Sequence, residues 1–173
     1  MLIRPAAPHD AEALTDLHLD VWEEAYGALI APEILRKRRL TRAERVAQWA
    51  DNLVRTKGRT LLAWNDEGSR LLGFVSVGPG RDEPGDGLPG LEVWALYVRA
   101  ETYGHGVGHA LLLEAIGADP AYLWVLDGNE RAINFYERQG FVFDGVSKTE
   151  PEGLERRMLR PLAGRGHPVF SRS

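Results

Sequence analysis

The stretch Asn129-Glu130-Arg131-Ala132-Ile133-Asn134-Phe135-Tyr136-Glu137-Arg138-Gln139-Gly140-Phe141 decides how the rest of the chain is read. Asparagine at its head suits a helix N-cap, because its side-chain oxygen accepts from an amide of the first turn. Glycine near its end suits the C-terminal stop, where the backbone turns left-handed. Residues 129–139 are therefore expected to form a helix. Asn129 and Tyr136 lie seven residues apart, two turns, so a polar cap and a phenol project from one face. Just upstream, Tyr122 to Leu126 is a short apolar run that reads as a buried strand.

Further upstream, Tyr103-Gly104-His105-Gly106-Val107-Gly108 separates the strand Leu91 to Val98 from a helix carrying Ala110, Leu111, Leu112 and Leu113. That helix is expected to start near Gly104. Glycines let the chain turn tightly and let a ligand approach the backbone. The first turn of a helix leaves amides unpaired, and its dipole favours an anion. Together they make a phosphate cradle. No Gly-Lys-Ser/Thr follows, so the loop is not a Walker loop, and its third glycine comes one residue early for a dinucleotide fingerprint. Taken alone, the loop also reads as a helix start with small residues for packing.

The two segments together are more specific. The run ALYVRAETYGHGVGHALL resembles the coenzyme A motif of the GNAT acetyltransferase superfamily, in which Arg or Gln, two residues, Gly, one residue and Gly or Ala succeed one another. Gly106 and Gly108 take the last two places. His105 replaces the frequent Lys or Arg, and Tyr103 stands where Arg or Gln is expected. The block 129–141 resembles the superfamily's other recurrent stretch, N-x-x-A-x-x-F-Y-x-x-x-G-F, at every fixed position. The pattern of His18, Trp22, Ala25-Tyr26 and Trp49 looks like the substrate-side helices of a bacterial branch.

The resemblance implies transfer of an acetyl group from acetyl-coenzyme A to an amine. It implies a cofactor site from Leu96, Tyr97 and Val98 through Tyr103, Gly104, His105, Gly106, Val107 and Gly108 to Asn129 and Tyr136. Backbone amides of the Leu91-to-Val98 strand face the thioester oxygen, and the Tyr136 phenol protonates the departing thiolate. Tyr136 also has a plainer reading, as a core tyrosine. For the proton leaving the amine, Glu92 is the candidate, sharing strand parity with Trp94 and Leu96; an exposed strand carboxylate is the alternative. Asp127, beside Gly128, is the rival and reads equally as a turn residue. Trp22, Tyr26 and Trp94 are candidates for an acceptor pocket, or for ordinary core. His105 and His109 are helix-spaced, but with His18 they form no metal set.

Around these segments the chain reads as strand, helices, three strands, helix, strand, helix and two strands. Leu2 to Arg4 opens it, Asp10 to Tyr26 is an amphipathic helix, and Pro32 suits the first turn of the next. Thr60 to Trp64 and Leu71 to Val77 form a hairpin around Asn65 to Gly68, and Pro79 to Gly90 is expected to be a mobile loop. The fold class is α/β, layered in the α+β manner: a mixed, mostly antiparallel sheet of six to seven strands with helices on both faces. Residues 1–163 are expected to be one acetyltransferase domain, and 164–173 a flexible tail.

Composition bounds the function. The 173 residues are 44% hydrophobic and 27% charged, an ordinary globular mixture. With no cysteine there is no disulfide framework and no cysteine nucleophile, so acetyl transfer needs no covalent enzyme intermediate. The net charge of -4 argues against a nucleic-acid surface. The run Arg36-Lys37-Arg38-Arg39 with Arg42 and Arg45 is the exception, and reads as a solvated helix face or an RNA contact. No apolar stretch spans a bilayer and the start lacks a secretory layout, so a cytoplasmic protein is expected, without a membrane partner. Members of the superfamily often pair, so a homodimer belongs to the expectation. The rival from another class is a non-catalytic acyl-coenzyme A binding or sensing domain.

Overall fold

The computed structural model describes residues 1–85 and 87–161. The expected tail, 164–173, lies outside the described residues. Strands are β1 Leu2–Pro5, β2 Arg59–Trp64, β3 Leu71–Pro79, β4 Leu91–Val98, β5 Ala121–Leu126, β6 Val142–Glu150 and β7 Gly153–Arg160. Helices are α1 Ala11–Tyr26, α2 Pro32–Leu40, α3 Arg42–Arg55, α4 Val107–Ile116 and α5 Glu130–Arg138. The seven strands form one sheet in the order β1-β2-β3-β4-β5-β7-β6. Only β4 and β5 run parallel, and α4 makes the crossover between them.

Strand β3 explains why helices cover both faces. Its run Leu71 to Val77 has apolar side chains pointing both ways, the mark of a strand buried twice. On one face Val75 and Val77 join Leu111, Leu112 and Ile116 of α4 and Ile133 of α5. On the other, Leu71 and Phe74 join Leu14, Leu17 and Val21 of α1. Each of these buried apolar side chains contributes about 2 kcal/mol of apolar transfer.

The basic run on α2 and α3 closes onto the acidic face of α1. Arg39 pairs with Glu23 at 2.6 Å and Asp20 at 2.9 Å, and Arg42 with Asp16 at 2.6 Å. Arg36 pairs with Glu33 within its own helix. The run thus tethers α2 and α3 to α1, which favours the solvated-face reading over the RNA contact.

Two expectations need correction. Helix α4 starts at Val107, with Gly106 as its N-cap, rather than near Gly104. The preceding glycines instead turn the chain, with φ of +79° at Gly104 and +81° at Gly106. The loop after β3 is anchored at its start rather than free. The backbone amides of Arg81 and Asp82 donate to the Tyr122 hydroxyl at 2.8 and 3.0 Å, and Asp82 pairs with Arg157 at 2.7 Å.

Candidate active site

Strands β4 and β5 pair only at Glu92–Tyr122 and Val93–Leu123, and beyond that point they part. The Arg99 amide donates to Leu72 of β3. Antiparallel alternation then turns the amides of Tyr97 and Ala95 toward β3 and those of Leu96 and Val98 toward the opening. The cleft so formed is a groove of about 430 Å³. Leu96, Tyr97, Val98, Tyr103, Gly104, Gly106, Val107, Gly108, Asn129 and Tyr136 all line it. His105 does not: it is exposed, and its amide donates to the Thr102 carbonyl at 3.1 Å. The structure thus sets it apart from the other residues of the expected cofactor set.

The loop's physics follows from its glycines. Among the described residues, the amides of Gly104, Gly106, Val107, Gly108 and His109 meet no protein acceptor. The left-handed turns at Gly104 and Gly106 are what present them. A Cβ on either glycine would meet open space, so the strain of a substitution there is backbone strain. Helix α5 supplies charge that the loop lacks. Arg131 stacks on Tyr103 at 3.8 Å, and both Arg131 and Arg138 line the groove.

Tyr136 is 8% exposed and lines the groove, and its hydroxyl has no hydrogen-bond partner among the described residues. Burial, with Tyr26 nearby, pushes this phenol well above its ordinary range, so it holds its proton at neutral pH. Burial raises Tyr26 and Tyr97 too, and their hydroxyls meet at 3.2 Å. The Asn129 side chain accepts from the Ala132 amide at 3.3 Å, closing the first turn of α5. These groups converge because α1 and β4 end at the groove and α5 runs along it.

A second pocket, of about 280 Å³, shares Tyr26, Val93, Trp94, Tyr97 and Trp124 with the groove. Trp22, Tyr26 and Trp94, the expected acceptor residues, all line it. Trp94 is an extra residue in β4: Ser76 pairs with Ala95 and Val77 with Val93, so Trp94 forms a bulge. Its indole lies against Gly58 and Gly78, where any Cβ would collide with it. The bulge also corrects the parity argument for Glu92. Past Trp94 the alternation shifts by one, so Leu96 packs with Val93 on the α4 face, while Ala95 and Tyr97 pack on the α1 face.

Glu92 is 1% exposed. Its Oε1 accepts from Arg81 at 2.6 Å, and its Oε2 accepts from the Arg81 side chain, the Arg81 amide and the Tyr122 hydroxyl. It is a buried carboxylate that anchors the loop and borders the second pocket, not an exposed one. Asp127 lines neither pocket and turns to Arg156 at 3.4 Å.

The family model for the acetyltransferase (GNAT) family matches residues 13–141, most of the chain and both lined segments. The chain belongs to the GNAT acetyltransferase family. A Bacillus subtilis protein named as an uncharacterised N-acetyltransferase is 30% identical over 78% of this chain and 76% of its own. A Mycobacterium tuberculosis protein named as a probable N-acetyltransferase is 27% identical over 85% of this chain and 83% of its own. The crystal structure of a Thermoplasma acidophilum N-acetyltransferase in complex with coenzyme A shares the fold, with a TM-score of 0.68, 20% identity, and coverage of 92% of this chain and 98% of that one. This GNAT chain is an acetyl-coenzyme A-dependent N-acetyltransferase. Among the described residues no helix is long and apolar enough to cross a membrane.

In this GNAT chain His18 is enclosed by the rings of Trp22, Trp49, Phe74 and Tyr97, at centroid distances of 5.1 to 6.1 Å. Burial, then Arg38 and Arg45, pushes its imidazole down to about 3. The native state therefore keeps it neutral, while the unfolded state binds a proton below its ordinary value of 6.5. The sign follows: this contribution is complete above pH 6.5 and is lost as pH falls toward 3, by up to about 1.4 kcal/mol per pH unit. Urea unfolding should show the wild type losing roughly 1–2 kcal/mol between pH 7 and pH 5 from this group. His18→Phe should flatten that dependence. An unchanged slope would mean that other groups set the acid sensitivity.

Proposed function

We propose that the enzyme moves the acetyl group directly onto a primary amine, of a small molecule or an amino terminus, within one domain spanning residues 1–163. The observation that carries this reading is the Tyr136 phenol: its ring is largely buried, and its hydroxyl, without a protein partner among the described residues, belongs to the groove that shares its aromatic wall with the acceptor pocket. Acetyl-coenzyme A supplies an activated acyl group as its thioester. The free amides of Gly104 and residues 106–109 would hold its pyrophosphate, with Arg131 and Arg138 adding positive charge. The Leu96 amide faces the cleft and would stabilise negative charge on the acyl oxygen. Tyr136 gives its proton to the leaving sulfur, which in a desolvated groove is a costly anion.

The amine's proton goes to water in the acceptor pocket, with Glu92 as the receiving carboxylate. Oε1 of Glu92 accepts one hydrogen bond from protein, which leaves it a lone pair for that water. Glu92→Gln is expected to displace the acid limb of the kcat/KM pH profile. A wild-type profile in a variant that retains its Tm would leave Glu92 as a loop anchor alone.

A thiol-release assay over a panel of primary amines tests the reading as a whole. Amine-dependent release with acetylated product is expected. Tight coenzyme A binding with no turnover on any amine would favour the acyl-coenzyme A sensor. The cofactor is a multiply charged thioester that does not cross a bilayer unaided, which supports a cytoplasmic location.

A further inference from the structure

The acceptor pocket is charged in one direction. Four carboxylates, Glu92, Glu150, Glu152 and Glu155, line it against two cations, Arg81 and Lys148. Arg81 is engaged by Glu92. Lys148 lies between Glu150 at 3.2 Å and Glu155 at 3.4 Å. Glu152 has no ion-pair partner among the described residues. Arg38 stacks on Trp22 at 3.4 Å and lies within electrostatic reach of Glu152, but it forms no ion pair with it and does not line the pocket.

The same wall already holds one ammonium of the chain's own. The Lys148 ammonium sits 4.5 Å from the centroid of Trp124, over the ring face, with the two carboxylates beside it. An aromatic face and flanking carboxylates are the chemistry that stabilises a primary alkylammonium. Trp124 also lines the coenzyme A groove. The cage therefore adjoins the place where the acetyl group is transferred.

We infer that the acceptor is a dication, a primary amine carrying a second cationic nitrogen, held by Glu150 and Glu152 while the first amine points past Trp94 and Trp124 into the groove. This rests on the acetyltransferase reading above and names its substrate class. The second nitrogen keeps its proton throughout. The first loses one proton to water before it attacks. As the C–N bond forms and the C–S bond breaks it loses a second, which replaces the proton that Tyr136 gives to the sulfur. The outer carboxylates bind the charge that does not react, and so act on selection rather than on chemistry.

Three acceptors with one four-carbon chain test it: 1,4-diaminobutane, n-butylamine and 4-aminobutanoate. By kcat/KM the diamine should exceed n-butylamine by at least about tenfold, the equivalent of 1.4 kcal/mol. 4-Aminobutanoate, whose carboxylate faces Glu150 and Glu152, should be the poorest of the three. In Glu150→Gln/Glu152→Gln the diamine-to-monoamine ratio should fall to within about threefold of unity, and added salt should erode the wild-type preference. Glu152→Gln alone, at a position with no ion pair to break, should lower the ratio part-way and covers the case in which the double variant misfolds. Equal or better use of n-butylamine or 4-aminobutanoate, or a ratio unchanged in the variants, would overturn the inference while leaving the acetyltransferase reading intact. No turnover with any amine, despite coenzyme A binding, would overturn both.

Discussion

Gly106→Val is expected to abolish coenzyme A binding. Gly106 has φ of +81° and caps α4, and the amides it presents have no protein acceptor among the described residues. A β-branched residue in that conformation costs roughly 1–3 kcal/mol. If the loop relaxes to relieve the strain, the amides turn away, and each charge-assisted hydrogen bond lost costs about 1.5–3 kcal/mol. Isothermal titration with coenzyme A should therefore show Kd weakened by more than about a hundredfold. His105→Ala is the matched control, since His105 is exposed and its amide is engaged by Thr102. Its Kd should stay within about threefold of wild type, less than 1 kcal/mol. Wild-type binding by Gly106→Val would remove the loop from the cofactor site.

Tyr136→Phe should separate chemistry from binding. The hydroxyl makes no hydrogen bond that the fold needs, and the ring contacts Phe135 and Phe141 through its carbons. Removing the oxygen should leave packing and Tm nearly unaltered. Loss of a positioned acid lowers turnover by about 10²-fold or more. Stopped-flow thiol release should show that fall in kcat, while the Kd for coenzyme A moves by no more than about threefold. Equal kcat in the two proteins would reduce Tyr136 to a wall of the groove.

The groove is legible in the sequence because its residues are close in the chain and carry local signals. Asn129 caps α5, and the glycines around position 106 announce a backbone that must turn. Arg131, Phe135 and Arg138 were equally legible in principle: at spacings of four and three they form one stripe on α5, and all three line the groove. The bulge at Trp94 was not. It depends on how β3 and β4 register, and a single extra residue sent Leu96 to the opposite face from the one its parity suggested. The acidic wall of the second pocket was hidden more deeply. Glu150, Glu152 and Glu155 face Trp124 only because β7 inserts between β5 and β6, a sheet order that the sequence of elements does not specify. Glu92 was found by residue type, but its anchoring role required Arg81 and Tyr122 to arrive from two other segments.

Transfer should run directly from cofactor to amine, with no acetylated enzyme between them. Its most direct measurement is a single-turnover reaction with acetyl-coenzyme A carrying an isotopic label in the acetyl group, with intact protein and small-molecule products followed by mass spectrometry. The label should pass to the amine, with one thiol released per product and no labelled protein at any time point. Labelled protein that forms before amine is added, and then decays into product at the turnover rate, would mean that the acetyl group passes through a covalent enzyme intermediate instead.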